Sequence, residues 1–434
     1  MTHRAASALS RRRIVRAAGL MVASALVPLR ASGQPQPVSD GFRVLRARPG
    51  HALLQGAGRE ATPIWGYDGG VPGPILRVKR GEELKVRLVN ELAADTTIHW
   101  HGIRAPNAFD GVAPLTQRPV APGASFDYRF TPPDAGTYWY RAPFRSQQNR
   151  ALYGPLIVDE AEPADVDRDV ALMLDAWPSG DDGPSAKDAA PLATVNGLPT
   201  LDLPVVTNER VRLRLINAAL DRFVTLRLDR HVATVVAIDG QPAEPFLARE
   251  SRITLSPGNR VDLILDAVLE GGRVAPIVAQ IAGADVPLAR FVYETRAPSR
   301  PAPRTEIKPL PRNALPERMD FRGALRGELP LLEGDARGGS VPGVPLFSVK
   351  HGRTVTLAIA NRTEAPHALH IHGHSVRLLD NLDDGWKPFW LDTILSVPRQ
   401  TTRVAFVADN PGKWLLHSRA VDAEGGTISW FEVI

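Results

Sequence analysis

Three segments of this chain repeat one pattern, and that repeat limits the fold more than any other feature. VKRGEELKVRLVN (Val78–Asn90), VVTNERVRLRLIN (Val205–Asn217) and VKHGRTVTLAIAN (Val349–Asn361) each carry a Gly or Asn turn, apolar residues at every second position and a closing Asn. In the middle copy Val211, Leu213 and Leu215 alternate with Arg212 and Arg214. A period of two turns one face of a strand to a core and leaves the other to solvent. A second set lies downstream: PVAPGASFDYRFTPPDAGTYWY from Pro119, ITLSPGNRVDLILDAV from Ile253 and LSVPRQTTRVAFVADNPGKWLL from Leu395. Each begins with a Pro-containing turn and continues as an alternating strand. Copies more than a hundred residues apart are repeated domains, not solenoid units.

Composition agrees with short strands and many turns. The 36 glycines and 39 prolines in 434 residues exceed an average combined usage of about 12%, and no long amphipathic helix stands out. The expectation is an all-β chain of three β-sandwich domains at 40–160, 165–297 and 318–434, with a Pro-rich, semi-rigid linker at 298–317 before the last.

The formal charge of +5 is misleading. Residues 1–33 hold six arginines and no acid, and removing them takes the rest of the chain to −1. Such a body gives no reason to expect nucleic-acid binding. SRRRIVRAAGLMVASALVPLRASG has a basic region, an apolar run and small residues, the layout of an export signal. Ser10–Arg16 resembles the twin-arginine type, which implies a periplasmic or otherwise exported protein. The apolar run is shorter than the roughly 20 residues that span a bilayer, so no membrane span is expected in the mature form. The chain has no cysteine, so its core forms without disulfides and any metal is held without thiolate.

Seven of the 11 histidines are clustered. His99 and His101 stand in TTIHWHG, His367, His370, His372 and His374 in HALHIHGH, and His417 in LLHSR. His51, His231 and His351 are isolated and read as surface or satisfied residues. On strands, His99 and His101 share a face, as do His370, His372 and His374. Two such pairs, from the first and third domains, would offer four imidazoles to one site, a ligand set that suits copper or zinc. No phosphate-cradling GxxxxGK[ST] loop and no GxSxG elbow occurs. Trp100, Trp139 and Trp414 read as packing beside the motifs.

In these stretches the chain resembles the multicopper oxidases, laccase-like enzymes of three cupredoxin domains, each a Greek-key β-sandwich. The likeness is densest over Thr96–Tyr140, Arg150–Glu160, His367–Leu379 and Val404–Ser418. It implies a blue copper that takes electrons from substrate and a trinuclear copper cluster, between the first and third domains, that reduces dioxygen. By resemblance His99 and His370 face the type 2 copper, His101, His372 and His417 the type 3 coppers, and His367 the blue copper. Asp110 matches an acidic residue that relays protons near the cluster.

The ligand motifs are not all kept. Tyr138-Trp139-Tyr140 is followed by Arg141-Ala142-Pro143 where the family has His-X-His. Ser418 replaces the blue-copper cysteine, Arg419 a type 3 histidine, Ala423 the other blue-copper histidine and Ile428 the axial methionine. A hydroxyl does not supply the thiolate that makes such a site. The expectation is that Arg141 and Arg419 put positive charge where one copper would lie. Asp110 is then expected to pair with one of them, and His99, His370, His372 and His417 to keep a single ion.

Three readings follow. The first is an exported homologue with a degenerate ligand set, holding copper in reduced number, down to one ion, with zinc as the other candidate. The second is a non-catalytic exported scaffold with a protein partner, similar to the copper-free cupredoxin proteins of bacterial cell division. The third is a working copper-dependent oxidoreductase with an altered electron route, acting on a small phenolic or metal substrate. The resemblance leaves open whether the chain is an enzyme.

Overall fold

In the computed structural model, residues 40–177, 192–333, 341–379, 386–423 and 425–434 are described; the expected export signal lies outside them. The described chain forms six sheets in three successive pairs. Each pair encloses its own apolar cluster, with Leu45, Val86 and Tyr128 in the first, Leu213, Leu263 and Phe291 in the second, and Leu357, Phe406 and Phe431 in the third. No described helix is long and apolar enough to cross a membrane.

The three repeated segments occupy the same place in each pair. Leu84–Asn90 pairs in parallel with Arg43–Ala52 and antiparallel with Ser125–Phe130. Glu209–Asn217 lies likewise between Arg168–Trp177 and Arg260–Ala267, and Thr354–Asn361 between Leu325–Leu331 and Thr401–Val407. The turn residue that opens each repeat, Gly81, Asn208 or Gly352, sits at a φ of 89°, 64° or 79°. Gly adopts that left-handed region freely and Asn tolerates it, whereas branched side chains do not.

The closing Asn makes one corner three times. Asn90 Nδ2 donates to the carbonyls of Ala94 and Val120 at 2.8 Å each, and its Oδ1 accepts the Leu92 N–H at 3.0 Å. Asn217 reaches the carbonyls of Arg222 and Leu255 and the N–H of Ala219, all at 3.0 Å. Asn361 does the same with Ala365, Ser396 and Thr363 at 2.9, 3.0 and 3.0 Å. An amide carries donor and acceptor on one short stem, so a single side chain satisfies three backbone groups where the strand leaves its sheet.

One expectation from the alternating pattern fails. Arg210, Arg212 and Arg214 do not face solvent; each is 1% exposed. Arg212 bonds Asp262 at 2.6 Å and Glu160 at 2.8 Å, and Arg214 bonds Asp169 at 2.7 Å and Thr137 at 2.9 Å. The polar face of this strand is covered by the neighbouring sheets, and buried guanidiniums persist there because carboxylates pair with them. The Pro-rich stretch has no helix or strand between Tyr293 and Leu325, but it is pinned along its length. Arg300 and Arg304 bond Asp167 at 2.6 and 2.9 Å, Leu310 is buried with Val236 and Ile264, and Asn313 donates to the Ala135 carbonyl at 2.8 Å.

Candidate metal centre

Two strands, and the turn that follows the second, bring the clustered histidines together. His99–His101 is the edge strand of its sheet, paired in register with Arg141, Tyr140 and Trp139. His367–Ile371 is held on both sides, with His370 opposite Thr393 on one neighbour and His417 on the other, and Ala368 opposite Arg419. The two sets interleave: His99 and His372 rings lie 4.0 Å apart and tilted, and His101 and His370 stack at 3.7 Å. His99, His101, His367, His370 and His372 are all buried.

The hydrogen bonds fix which nitrogen of each ring is free. His99 Nδ1 lies 3.0 Å from the Asp110 carbonyl and His370 Nδ1 3.0 Å from the Asp392 carbonyl. His372 Nδ1 lies 3.0 Å from the Asp110 carboxylate. These oxygens only accept, so all three Nδ1 atoms carry the proton and all three Nε2 atoms are bare. Two of the bare atoms, on His99 and His370, face each other at 3.2 Å, and His372 Nε2 is buried without any partner. That short approach is not a hydrogen bond between neutral rings, because neither atom has a proton to give. Ligand nitrogens of His99, His370 and His372 fall within 4.8 Å of one another. Two nitrogens at ordinary bonding distance from one tetrahedral ion lie about 3.3 Å apart, so the residues present fit a cation.

His101 is in the opposite state. Arg141 Nε donates to its Nδ1 at 3.3 Å, and its Nε2 lies 2.9 Å from Thr393 Oγ1. The Thr393 hydroxyl gives its own proton to Asp392 at 2.9 Å, so His101 Nε2 carries the hydrogen. A second trio, His101, His370 and Asp392, also falls within 4.8 Å, but Asp392 is already held by Arg260 at 2.8 Å.

Burial outweighs the opposing pull of Asp110 on His99 and His372 and of Asp392 on His370, and the pKa of each ring is lowered to about 4. His101 and His417 are pushed well below the usual histidine range, first by burial, then by His370 for the one and Arg419 for the other. The rings are therefore neutral at pH 7, the form that ligates metal. Burial raises Asp110, but His372 and His99 outweigh it and hold the carboxyl below its usual range.

Two expectations are corrected here. Asp110 does not pair with Arg141 or Arg419; its carboxylate bonds His372 at 3.0 Å and lies 3.2 Å from His99 Nδ1. The register of the two strands gives that position to imidazole. Nor do four imidazoles converge, since His417 is absent from the group formed by His99, His370 and His372. It lines a cavity instead, with His101, Trp139, Arg141, Gln148, His370 and Arg419. His367 lies apart from the trio, its ring nitrogens 3.2 Å from Ser418 Oγ and 3.1 Å from Thr363 Oγ1.

Sequence reasoning missed Asp392, Thr393, Arg260 and Asp239. Arg260 is fully buried, bonds Asp392 and reaches the carbonyls of Thr137 and Gly258. Asp239 accepts the backbone N–H groups of Arg260, Asp392 and Thr393 at 3.1–3.3 Å. The glycine of HWHG makes room for this pair. Gly102 has φ 89°, and a Cβ there would lie 2.2 Å from Arg260 Nη2 and 2.7 Å from Asp392 Oδ2.

Profiles of the family described as multicopper oxidase match residues 51–163, 178–279 and 316–423. Lac15 from a marine microbial metagenome has a crystal structure of which this chain covers 99%, at 34% identity and a TM-score of 0.78 over 90% of this chain. The chain belongs to the multicopper oxidase family. A multi-copper oxidase of Pseudomonas thermotolerans is similar to the same degree, at 33% identity and a TM-score of 0.79, over 90% of this chain and 98% of that one. The multicopper oxidase MmcO of Mycobacterium tuberculosis is 29% identical over 81% of this chain and 79% of its own length. This membership makes the three sheet pairs cupredoxin-like sandwiches, gives the chain the laccase-like oxidoreductase architecture and makes copper the metal to test against the histidine trio.

Proposed function

We propose that this multicopper oxidase homologue is exported and holds one copper ion through His99, His370 and His372. Laccase-type oxidation of small substrates by dioxygen is then weakened or lost. The observation that carries this reading is the set of three bare Nε2 atoms, turned inward by Nδ1–H bonds to fixed oxygens. Asp110 and Asp392 act as positioning residues: they choose the tautomer and hold the rings, as carboxylates and carbonyls behind metal-bound histidines commonly do.

The blue-copper position supports the second half. The residue facing His367 is Ser418, whose oxygen also accepts the Thr427 N–H at 2.9 Å. A neutral hydroxyl in a hydrogen-bond network does not replace a soft, anionic thiolate. Ala423 and Ile428 bring no ligand. Around His101, Arg141 fixes the tautomer whose Nε2 is protonated, so that ring serves structure rather than ligation. Copper, where bound, would supply a one-electron couple; the chain itself buries the imidazoles and keeps them neutral. The arginine-rich start of the sequence supports export by the twin-arginine route.

The test is metal analysis of purified protein after loading with copper or with zinc, alongside a phenol-oxidation assay. Copper close to one ion per chain, lost in His370→Ala but kept in His351→Ala on an exposed histidine, is the expected result. An intense thiolate-to-copper absorption band, or several coppers with rapid phenol oxidation, would overturn it. Zinc retained in preference to copper would overturn the choice of metal.

A further inference from the structure

Arg141 and Arg419 border one small cavity, on strands from two different sheets, together with His101, His417 and Gln148. The cavity measures about 30 Å³, room for about two water molecules. Among the described residues neither guanidinium has a carboxylate partner. Arg141 donates to His101 Nδ1 at 3.3 Å and to its neighbour's carbonyl at 3.5 Å. Arg419 Nη2 is buried with no hydrogen-bond partner. The carboxylates whose charge reaches the two arginines are committed elsewhere. Asp110 is bound to His372, and Asp221 pairs with Arg145 at 2.6 Å.

The deeply buried arginines of the second sheet pair are all matched with carboxylates: Arg210, Arg212, Arg214 and Arg260 have them. Two neighbouring guanidiniums that share a cavity and repel one another without a counter-charge are costly unless an anion joins them. A guanidinium fork matches groups that present two oxygens better than it matches a point charge. Gln148 Oε1, buried and also without a partner, adds an acceptor suited to a protonated oxygen.

We infer that Arg141 and Arg419 form a binding site for a small planar oxyanion, of the size of formate, beside the histidine trio. The site is built from the side chains that stand where the family resemblance would place copper ligands. It does not depend on a metal, so it stands or falls separately from the copper proposal.

The experiment uses full-length, metal-free protein at neutral pH and constant ionic strength, titrated with formate, hydrogen carbonate, phosphate or chloride. Calorimetry and the thermal unfolding midpoint are the readouts. At least one planar oxyanion binds saturably, raises the midpoint and outcompetes chloride. Which one does so identifies the ligand. Arg419→Met and Arg141→Met each weaken that binding at least about tenfold, the loss of a charge-assisted hydrogen bond. Without anion, Arg419→Met is as stable as the parent or more so, because it removes a buried, unpaired charge. Should a variant fail to fold, crystals of the parent soaked in formate decide: difference density for a planar anion between the guanidiniums supports the site, and none there overturns it. Binding that appears only after metal loading, survives both methionine variants, or favours phosphate or chloride overturns it as well.

Discussion

A side chain here takes its chemical state from the atom that faces it. His99, His370 and His372 point Nδ1 at carbonyl or carboxylate oxygen and offer Nε2, whereas His101 meets a donor, Arg141 Nε, and is reversed. All four are motif histidines that sequence alone treats alike, although His372 lies in the turn just past Ile371, where its strand ends. Asp175 shows the same dependence away from the site. It is buried, accepts the Tyr153 hydroxyl and its neighbour's N–H, and burial pushes its carboxyl up to about 6. In the unfolded chain the group titrates near 3.9. Between those values the folded protein binds the extra proton, so stability falls as pH rises from 4 to 6. Asp175→Asn keeps an acceptor for Tyr153 and removes the titration. Urea unfolding at pH 4 and pH 7 is expected to show the parent losing about 2 kcal/mol more than the variant over that interval. Equal pH dependence in the two proteins would exclude Asp175 as its source.

The strand is the level at which the sequence was most legible. Alternation gave the repeated strands, and the closing Asn, visible in all three segments, makes the same three hydrogen bonds at Asn90, Asn217 and Asn361. What alternation leaves open is the cover of a strand's second face, which is why Arg212 and Arg214 read as exposed when Asp262, Glu160 and Asp169 enclose them. The Asn corner is expected to be worth about 2–4 kcal/mol, since Asn217→Ala removes three bonds and strands the buried Leu255 carbonyl. Asn217→Asp keeps the acceptor alone and should lose nearly as much. Chemical denaturation of both variants measures this, and a loss below about 1 kcal/mol in either would reduce the corner to a passive turn. Asn361 has a further duty, because its Oδ1 also holds the Thr363 hydroxyl that faces His367. The repeat thus sets the stage for a histidine that no spacing rule connects to it.

At the scale of the whole molecule the second sheet pair, which supplies no histidine to the trio, braces the residues behind it. Arg260 and Asp239 lie in it, yet they hold Asp392 and Thr393 of the third pair and the Thr137 carbonyl of the first. Asp392 in turn accepts His370 Nδ1–H. Contacts this far apart in sequence leave no motif, so this half of the site could not be read from spacing. Burial raises Asp392 but Arg260 overrides it and keeps the carboxylate well below its usual range. Arg260→Met therefore leaves two buried carboxylates, Asp239 and Asp392, without their cation. The expected cost is about 3–5 kcal/mol, the range for breaking a buried pair from one side. Arg260→Met/Asp392→Asn should recover part of that loss, because it removes one of the stranded charges while keeping the backbone carbonyl that orients His370. Calorimetric unfolding checks the stability, and copper titration checks the link to the site. The single variant should bind copper more weakly than the double one, although neither change touches a proposed ligand. Equal copper affinity in both, with the stability loss intact, would show that the junction supports the fold without positioning His370.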